Sequence, residues 1–299
     1  MYGQLFDSYT RLFSLKSLVE HKMVQSRKGY DNRVGAGRAL PSMSGHDLDD
    51  DPAMMVQEQI SRIRFFEEKV GISTQSLLDL GCGTGFNYAY AKDKLGSAKV
   101  FGVDISETAV AYAKRIYSTD SFLQGDVCSE NLDCGIGSWD RVICCEVIEH
   151  VDRPEALLET IDKHLCPSGV AFISTPNRPV FSCNYEPSPV NHTHLKEYTE
   201  CEFRSMLERR FSTVEVWGQR FIDNRLFKMQ QGIVERNIND YRFLREWYWC
   251  NPVRLAWKSL RLEPLHRWLG GGLKYSHTDF SFVNPVTADS IWLCAIVSK

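Results

Sequence analysis

Two glutamates and a histidine lie close together in the run ICCEVIEHVDRP, residues 143–154. Glu146, Glu149 and His150 follow an apolar segment, which is typical of the end of a buried strand. An imidazole titrates near neutral pH and can remove a proton from a substrate. Carboxylates and imidazoles are also ligands of divalent cations. The run suits a metal site or an acid/base set, and equally the ordinary start of a helix at Pro154.

A second informative run is LLDLGCGTGFN, residues 77–87, where an apolar strand leads into alternate glycines and then a helix. Gly81, Gly83 and Gly85 let the backbone come close to a ligand. A dinucleotide site has the spacing GxGxxG, which seats a pyrophosphate on the helix N-terminus. The spacing here is GxGxG and follows Asp79, which counts against an NAD-dependent oxidoreductase, the competing class of enzyme.

Strands alternate with helices of about ten residues on both sides of these runs. This alternation predicts an α/β fold with a parallel sheet and helices on both faces. The predicted strands are SLLDLG, VFGVDI, SFLQGDV, WDRVICCEV, VAFISTP, STVEVWGQ and SIWLCAIVSK, and the predicted helices cover residues 53–70, 87–95, 107–117, 154–165 and 200–210.

Further acidic residues stand where predicted strands end. Asp104 ends VFGVDI and Asp126 ends LQGDV. The carboxyl ends of parallel strands meet at one edge of the sheet, where ligands of open α/β sheets bind. Asp104 can accept two hydrogen bonds from a ribose diol, and Asp126 can meet an exocyclic amine. An acidic rim of this kind suits a ligand with cationic character better than a pyrophosphate.

The run LDLGCGTG, with Asp104 and Asp126 and then DRVICCEVIEHV, LCPSGVAFISTPN and HLKEYT, resembles the class I S-adenosylmethionine-dependent methyltransferases over residues 76–218 and again at the last strand. The resemblance implies a Rossmann-like, seven-stranded, mostly parallel sheet with an antiparallel last strand. It also implies S-adenosylmethionine as cofactor. Asp79 would approach the methionine amino group, Asp104 the ribose hydroxyls and Asp126 the adenine amine. The other cofactor-binding residues implied are Gly81, Gly83, Gly85, Ile105, Val127 and Cys145.

Within that family, the ExxEH arrangement resembles the ubiquinone-biosynthesis and natural-product O-methyltransferases. It also resembles the small-RNA 2′-O-methyltransferases, in which two glutamates and two histidines hold a divalent ion. The latter resemblance implies Mg²⁺, Mn²⁺ or Zn²⁺ on Glu146, Glu149, His150 and His194 or His192. Two alternatives stay open: a metal-free site in which His150 is the base and the glutamates assist, and a purely structural role for all three residues.

The downstream run HLKEY resembles the substrate loop of this branch, so His194, Lys196 and Tyr198 are candidate acceptor contacts, with Asn177 and Arg178 as weaker ones. The hypothesis that follows is methylation of a hydroxyl on a small molecule, sugar or natural product. RNA ribose is the alternative acceptor, although the sequence contains no recognisable RNA-binding module.

Composition sets broader limits. The chain has 299 residues and a formal charge of −3, so no chain-wide basic field favours nucleic acid. It has no run of about 18 apolar residues and no signal-peptide pattern at its N-terminus, which predicts a cytoplasmic protein. Ten cysteines without a CxxC pair are interpreted as reduced thiols, several of them inside apolar strands (Cys144, Cys145 and Cys294).

The predicted organisation has four parts. Residues 1–70 hold a helix at 5–24, a linker or lid at 21–51 and the helix at 53–70; residues 71–220 form the cofactor-binding core. Residues 221–288 are a helical insertion, and 289–299 the last core strand. The stretch 220–275 carries eleven Lys or Arg against five Asp or Glu, with Trp247, Trp249, Trp257 and Trp268. It is interpreted as a packed subdomain, a substrate cap or a peripheral membrane contact.

Overall fold

The computed structural model describes residues 52–71, 76–95, 99–135, 137–183, 193–232, 234 and 275–299. These ranges contain every strand predicted for the core. The helix predicted at 5–24, the lid predicted at 21–51, His192 and the four tryptophans of the insertion lie outside the described residues.

A single eight-stranded sheet organises the described residues. The strands are β1 Ser76–Leu80, β2 Lys99–Asp104, β3 Phe122–Gln124, β4 Trp139–Cys145, β5 Leu165–Pro176, β6 Thr213–Phe221, β7 Phe280–Val283 and β8 Trp292–Ser298. Their order in the sheet is β3-β2-β1-β4-β5-β8-β6-β7. Strands β1 to β5 pair in parallel, whereas β8 is antiparallel to both β5 and β6, as predicted for the last strand. The Rossmann-like α/β prediction is therefore confirmed.

Capping residues in the sequence set the N-terminal ends of two of the helices. Ser106 caps its helix by accepting a hydrogen bond from the amide of Ala109, and Thr199 forms a capping box with Glu202. No described helix is both long and apolar enough to cross a membrane. The helices are α1 Pro52–Val70, α2 Phe86–Leu95, α3 Glu107–Tyr117, α4 Pro154–His164, α5 Arg178–Phe181 and α6 Glu200–Glu208.

Helix α1 packs on the sheet through aromatic side chains. Phe66 stacks on Phe172 of β5 with ring centroids 5.1 Å apart, and Phe65 stacks on Phe282 at 4.0 Å. Burial of one such side chain contributes roughly 1.5 to 3 kcal/mol to folding. This packing fixes the inner face of α1 against the sheet, so that polar residues on that face reach the ligand-binding edge.

The eighth strand, β7, corrects the predicted count of seven. It pairs antiparallel with β6 and lies inside the segment 221–288, which was predicted to be helical. The described part of that segment contains a helix at 224–232 and then this strand. Its sequence FSFV alternates for only four residues, a signal too short to separate from helix. Phe280 stacks on Phe221 and Phe282 on Phe65, and these contacts favour the strand.

Candidate active site

The glycine turn after β1 forms an open cradle. The amides of Gly81 and Cys82 both donate to the carbonyl of Val103, at 2.8 and 2.9 Å. Gly81 has φ +78° and Gly83 φ +53°, values that favour glycine. A Cβ on Gly81 would collide with Val147, which follows β4, whereas a Cβ on Gly83 would meet nothing within 4 Å. The turn after β4 thus touches the glycine turn, and Gly83 borders open space suited to a ligand.

Asp104 lies at the end of β2 as predicted and is held by the backbone. Its Oδ2 accepts from the amide of Gly83 at 2.8 Å, and its Oδ1 from the amide of Ser106 at 2.8 Å. A carboxylate oxygen can accept more than one hydrogen bond, so a ligand hydroxyl can share these oxygens. The next residue, Ile105, is an exposed large apolar side chain at 45 %. It offers a flat apolar contact beside the carboxylate.

Asp126 does not end its strand, contrary to prediction, because β3 stops at Gln124. It lies in the following loop, where Oδ1 accepts from the amide of Cys128 at 2.8 Å and Oδ2 lies 3.4 Å from Arg153. Its side chain is 45 % exposed, while Val127 is buried. The carboxylate remains accessible at the same edge of the sheet as Asp104.

Asp79 is buried beneath the cradle. Asn87 Nδ2 donates to Asp79 Oδ1 at 3.1 Å, and Gln59 Nε2 of α1 donates to Asn87 Oδ1 at 2.9 Å. Asp79 Oδ2 is buried and has no hydrogen-bond partner among the described residues. Burial raises the pKa of Asp79 to about 7; the Asn87 hydrogen bond opposes this and Asp104 adds to it. A carboxylate with one unsatisfied buried oxygen suits a ligand that brings a cationic donor.

Arg62 of α1 is a buried residue of this site that the sequence analysis missed. Its Nε donates to Gln219 Oε1 at 2.7 Å, its Nη1 lies 3.8 Å from Glu146 Oε1, and its guanidinium lies over Trp292 at 4.9 Å. Nη2 is buried without a hydrogen-bond partner among the described residues. Burial alone would lower the pKa of Arg62, but neighbours, Glu146 first, raise it above its usual range. The cation is therefore retained.

Arg62 and Asp79 both lie near the end of β4. Arg62 Nη1 is 3.8 Å from Glu146, which follows this strand, and Asp79 pairs in register with Ile143 within it. Both residues also influence the Cys145 thiol, whose pKa is raised by burial, lowered by Arg62 and raised further by Asp79. A zwitterionic ligand, carrying an amino group and a carboxylate, finds a partner for each charge there.

Glu146 follows β4 in the left-handed region, with φ +55°. Ser174 Oγ donates to Glu146 Oε1 at 2.8 Å, and the Glu146 amide donates to the Ser174 carbonyl at 3.0 Å. These two bonds tie the residue to β5. With Arg62 beside it, the Glu146 carboxylate has its own set of partners.

Three of the predicted metal-binding residues do come together. One possible ligand atom from each of Glu149, His150 and His194 lies within 4.8 Å of the others. Glu149 is fully buried, and Thr175 Oγ1 donates to its Oε2 at 3.1 Å. Its Oε1 lies 3.9 Å from His150 Nε2 and has no hydrogen-bond partner among the described residues. Burial, and next Glu146, raise the pKa of Glu149 well above its usual value.

Hydrogen bonds to Nδ1 orient both histidines of this cluster. His150 Nδ1 donates to the carbonyl of Thr193 at 2.9 Å, and His194 Nδ1 donates to Glu197 Oε1 at 2.7 Å. A carbonyl oxygen only accepts, so Nδ1 of His150 carries a proton; in the neutral imidazole Nε2 then carries the lone pair. Glu146 is not part of the cluster, because Ser174 and Arg62 hold its carboxylate elsewhere. The structure thus brings three of the four candidate ligands within 4.8 Å of one another.

The remaining acceptor candidates divide between surface and interior. Lys196 is exposed, with its ammonium 5.1 Å from the ring centre of Tyr198. Tyr198 is buried in the core, and Asn177 is buried and donates to the carbonyl of Ser290 at 2.7 Å. Arg178 pairs with Glu202 at 3.2 Å. We therefore do not assign Asn177, Arg178 or Tyr198 to the acceptor.

Comparison with known proteins shows which family has a sequence similar to the glycine turn and the strands around it. Residues 78–173 match the family model described as a methyltransferase domain. The glycine turn and its acidic partners thus lie within a stretch that matches a methyltransferase domain. The resemblance inferred from the glycine turn and its acidic partners is confirmed for this domain.

The curated relatives match the methyltransferase domain over part of their length. The ubiquinone biosynthesis O-methyltransferase of Idiomarina loihiensis is 36% identical over 126 residues, 40% of this chain and 51% of the relative. That of Pseudomonas paraeruginosa is 31% identical over 121 residues, 39% of this chain and 51% of the relative. The chain thus spans about half the length of the curated relatives it matches.

Solved structures match the fold of the methyltransferase domain. A SAM-dependent methyltransferase from Thermotoga maritima has a TM-score of 0.52 at 14% identity, covering 82% of this chain and 93% of that chain. One from Archaeoglobus fulgidus has a TM-score of 0.50 at 17% identity, covering 81% and 94%. These likenesses concern the fold alone.

Proposed function

We propose that the protein transfers the methyl group of S-adenosylmethionine to a hydroxyl group of a small molecule, sugar or natural product. The observation that carries the proposal is the Glu149, His150 and His194 cluster. Glu149 and His150 lie in the turn after β4, whose Val147 touches the glycine cradle. An acceptor held at the cluster lies beside the cofactor site. The curated relatives named as O-methyltransferases support oxygen as the methylated atom.

Each part of the cofactor has a chemically matched group in the cradle. Asp79 Oδ2 takes the methionine amino group and Arg62 the methionine carboxylate. Asp104 accepts from the ribose hydroxyls, while Ile105 and Asp126 meet the adenine. When bound, S-adenosylmethionine supplies an electrophilic methyl group. Residues of the cradle and the cluster would have to hold the methyl group in line with the acceptor oxygen, which is the main requirement of the reaction.

Arg62→Met tests the assignment of the carboxylate. We expect the variant to bind S-adenosylhomocysteine about 10- to 100-fold more weakly, because a charge-assisted hydrogen bond is lost. Binding of 5′-methylthioadenosine, which lacks the amino acid part, should be unchanged and serves as the internal control. Calorimetric titration of both ligands measures the ratio. An equal loss of affinity for both would contradict a contact with the carboxylate.

The cluster also has the composition of a divalent metal site. Buried Glu149 Oε1 has no partner, and both histidines are oriented through Nδ1, so the donor set fits an ion. Two imidazoles with one carboxylate suit Zn²⁺ or Mn²⁺ better than Mg²⁺, which prefers oxygen ligands. An ion here would orient the acceptor hydroxyl and lower its pKa. Without an ion, His150 Nε2 is the base, because Thr193 fixes the proton on Nδ1.

Methyl transfer and its metal dependence can be tested together. The purified protein is incubated with S-adenosylmethionine bearing a deuterated methyl group and with fractionated small molecules, glycans and RNA. Each reaction is run untreated, with a chelator, and with Zn²⁺ or Mn²⁺ added after chelation. We expect labelled small molecules or glycans that disappear on chelation and return with the metal.

The other outcomes are equally informative. Label in RNA alone would favour the ribose acceptor over the small-molecule acceptor. A product that is insensitive to chelation would remove the metal and leave His150 as the base. No labelled product in any fraction would contradict methyl transfer itself.

A further inference from the structure

Glu197 is a buried carboxylate, and packing of the hydrophobic core does not explain why a charged side chain is there. It is 1% exposed and follows His194 by three residues in the loop before α6. Its Oε1 accepts from His194 Nδ1 at 2.7 Å, and its Oε2 is buried with no hydrogen-bond partner among the described residues. Removing a carboxylate from water costs free energy unless a hydrogen-bond or ion-pair partner offsets the lost hydration. The partner observed here is an imidazole of the proposed metal site.

The loop that carries Glu197 is fastened to the turn after β4. The amides of Leu195 and Lys196 donate to the carbonyl of Glu149 at 2.7 and 3.2 Å. The carbonyl of Thr193 accepts from His150 Nδ1. His194 lies with its ring centre 4.8 Å from that of His150. The backbone therefore brings the two histidines together, and the side chain of Glu197 fixes the orientation of the second.

With Nδ1 bound to a carboxylate, Nε2 is the nitrogen of His194 that can ligate an ion. Histidines that bind metals usually donate their other N–H to a carboxylate or a carbonyl, which sets the tautomer and raises the basicity of the ligand. His150 uses a carbonyl and His194 a carboxylate. Glu149 adds the independent sign of a ligand, since its Oε1 is buried, lacks a partner and lies 3.9 Å from His150 Nε2.

We propose that Glu197 is the positioning residue of the metal site: through its hydrogen bond it orients His194 as a ligand and strengthens it. Glu197 itself binds neither the ion nor the acceptor. This inference rests on the metal site of the proposed function, and it assigns a residue outside the ExxEH run. It makes the Glu197 and His194 pair a unit in which the carboxylate charge, as well as the hydrogen bond, contributes to metal affinity.

The test measures metal binding directly in the full-length chain. Co²⁺ is titrated and followed by its visible absorption, and Zn²⁺ affinity is obtained by competition with a chromogenic chelator. Glu197→Gln keeps the shape and the hydrogen-bond acceptor but removes the charge. We expect it to bind either ion about 10- to 100-fold more weakly, with unchanged binding of S-adenosylhomocysteine. Glu197→Asp keeps the charge and should retain more affinity than the glutamine variant.

A matched control is available in the helix that follows this loop. Glu202 caps α6 by accepting from Thr199 and contacts neither histidine. Glu202→Gln should bind metal as the unaltered protein does. If Glu197→Gln does not fold, the affinity of Glu197→Asp and the absorption of its Co²⁺ complex decide the question, since a shorter side chain must shift the geometry at His194.

The failures are distinguishable. Equal metal affinity in the unaltered protein, Glu197→Gln and Glu197→Asp would overturn the role of Glu197 and leave the metal site standing. Absence of Zn²⁺ and Co²⁺ binding by the unaltered protein would overturn both the metal site and the role of Glu197. That result would leave the proposal of methyl transfer standing, because labelled product and binding of S-adenosylhomocysteine test it separately.

Discussion

Asp79→Asn is expected to stabilise the cofactor-free protein above pH 7 and to lower its affinity for the cofactor. Burial raises the pKa of Asp79 to about 7 from an ordinary value of 3.8. The unfolded chain therefore loses this proton near pH 3.8, whereas the folded chain keeps it until about pH 7. Between these values the folded state binds more protons, so its stability falls as pH rises. Above pH 7 the loss is constant, on the order of 4 kcal/mol.

An asparagine has no charge to desolvate, and its Oδ1 can still accept the hydrogen bond from Asn87. The variant should therefore lack the decline in stability between pH 4 and pH 7 that Asp79 causes. Urea unfolding of both proteins at pH 5 and pH 8 measures the effect. The gain in free energy of unfolding should be larger at pH 8 than at pH 5. An equal gain at both pH values would contradict the raised pKa.

The same substitution removes the carboxylate proposed to meet the methionine amino group. We expect affinity for S-adenosylhomocysteine to fall about 10- to 100-fold, because a buried charge-assisted hydrogen bond is lost. Affinity for 5′-methylthioadenosine should be unchanged. In the unaltered protein, affinity for S-adenosylhomocysteine should rise through pH 7 as Asp79 ionises. A variant that is both less stable and poorer in binding both ligands would point to misfolding.

His150→Ala is expected to lower kcat/KM for methyl transfer by about a hundred- to ten-thousand-fold. The imidazole either ligates the ion that activates the acceptor or removes the acceptor proton, so both mechanisms lose their key group. Binding of S-adenosylhomocysteine should be unchanged, since no cofactor contact is assigned to His150. Steady-state rates with the acceptor identified by deuterium labelling measure the loss.

The two mechanisms separate in the response to a chelator. If His150 is a ligand, the chelated unaltered protein and His150→Ala should share the same low rate, and added Zn²⁺ should rescue only the former. If His150 is a base, chelation should leave the unaltered protein fully active. His277→Ala is the matched control, because His277 lies by Gln57 on α1 outside the cluster. Full activity in His150→Ala would contradict both mechanisms.

The core of the fold could be predicted from sequence because each of its signals is local. Buried parallel strands are apolar runs, and the helices between them carry their own caps, such as Ser106 and Thr199. The glycine turn could also be predicted, since alternate glycines before a helix imply positive φ angles and a close approach of the backbone to a ligand. Asp79, Asp104 and the Glu149 and His150 pair follow directly from their places at strand ends.

The features that could not be predicted from sequence depend on contacts between distant segments of the chain. Arg62 shares a helical face with Phe66, but only the folded chain shows that this face meets Glu146 and Trp292. Glu197 lies within the HLKEY run, but its contact with His194 appears only when the loop packs on the turn after β4. Glu146 fits the ExxEH pattern by spacing alone, while Ser174 on the neighbouring strand draws its carboxylate away. Strand β7 depends on its pairing with β6.

The pairing of β6 with β7 has a consequence for how the domain tolerates change. Phe221 pairs with Phe280, and the amide of Ile222 donates to the carbonyl of Asp279 at 2.8 Å. The two ends of the intervening segment are therefore clamped together in a hairpin stem. The entropy of closing a loop grows only slowly with its length. We therefore expect that lengthening or shortening the sequence between positions 235 and 274 leaves the pairing of β6 with β7, and the register of the sheet, unchanged.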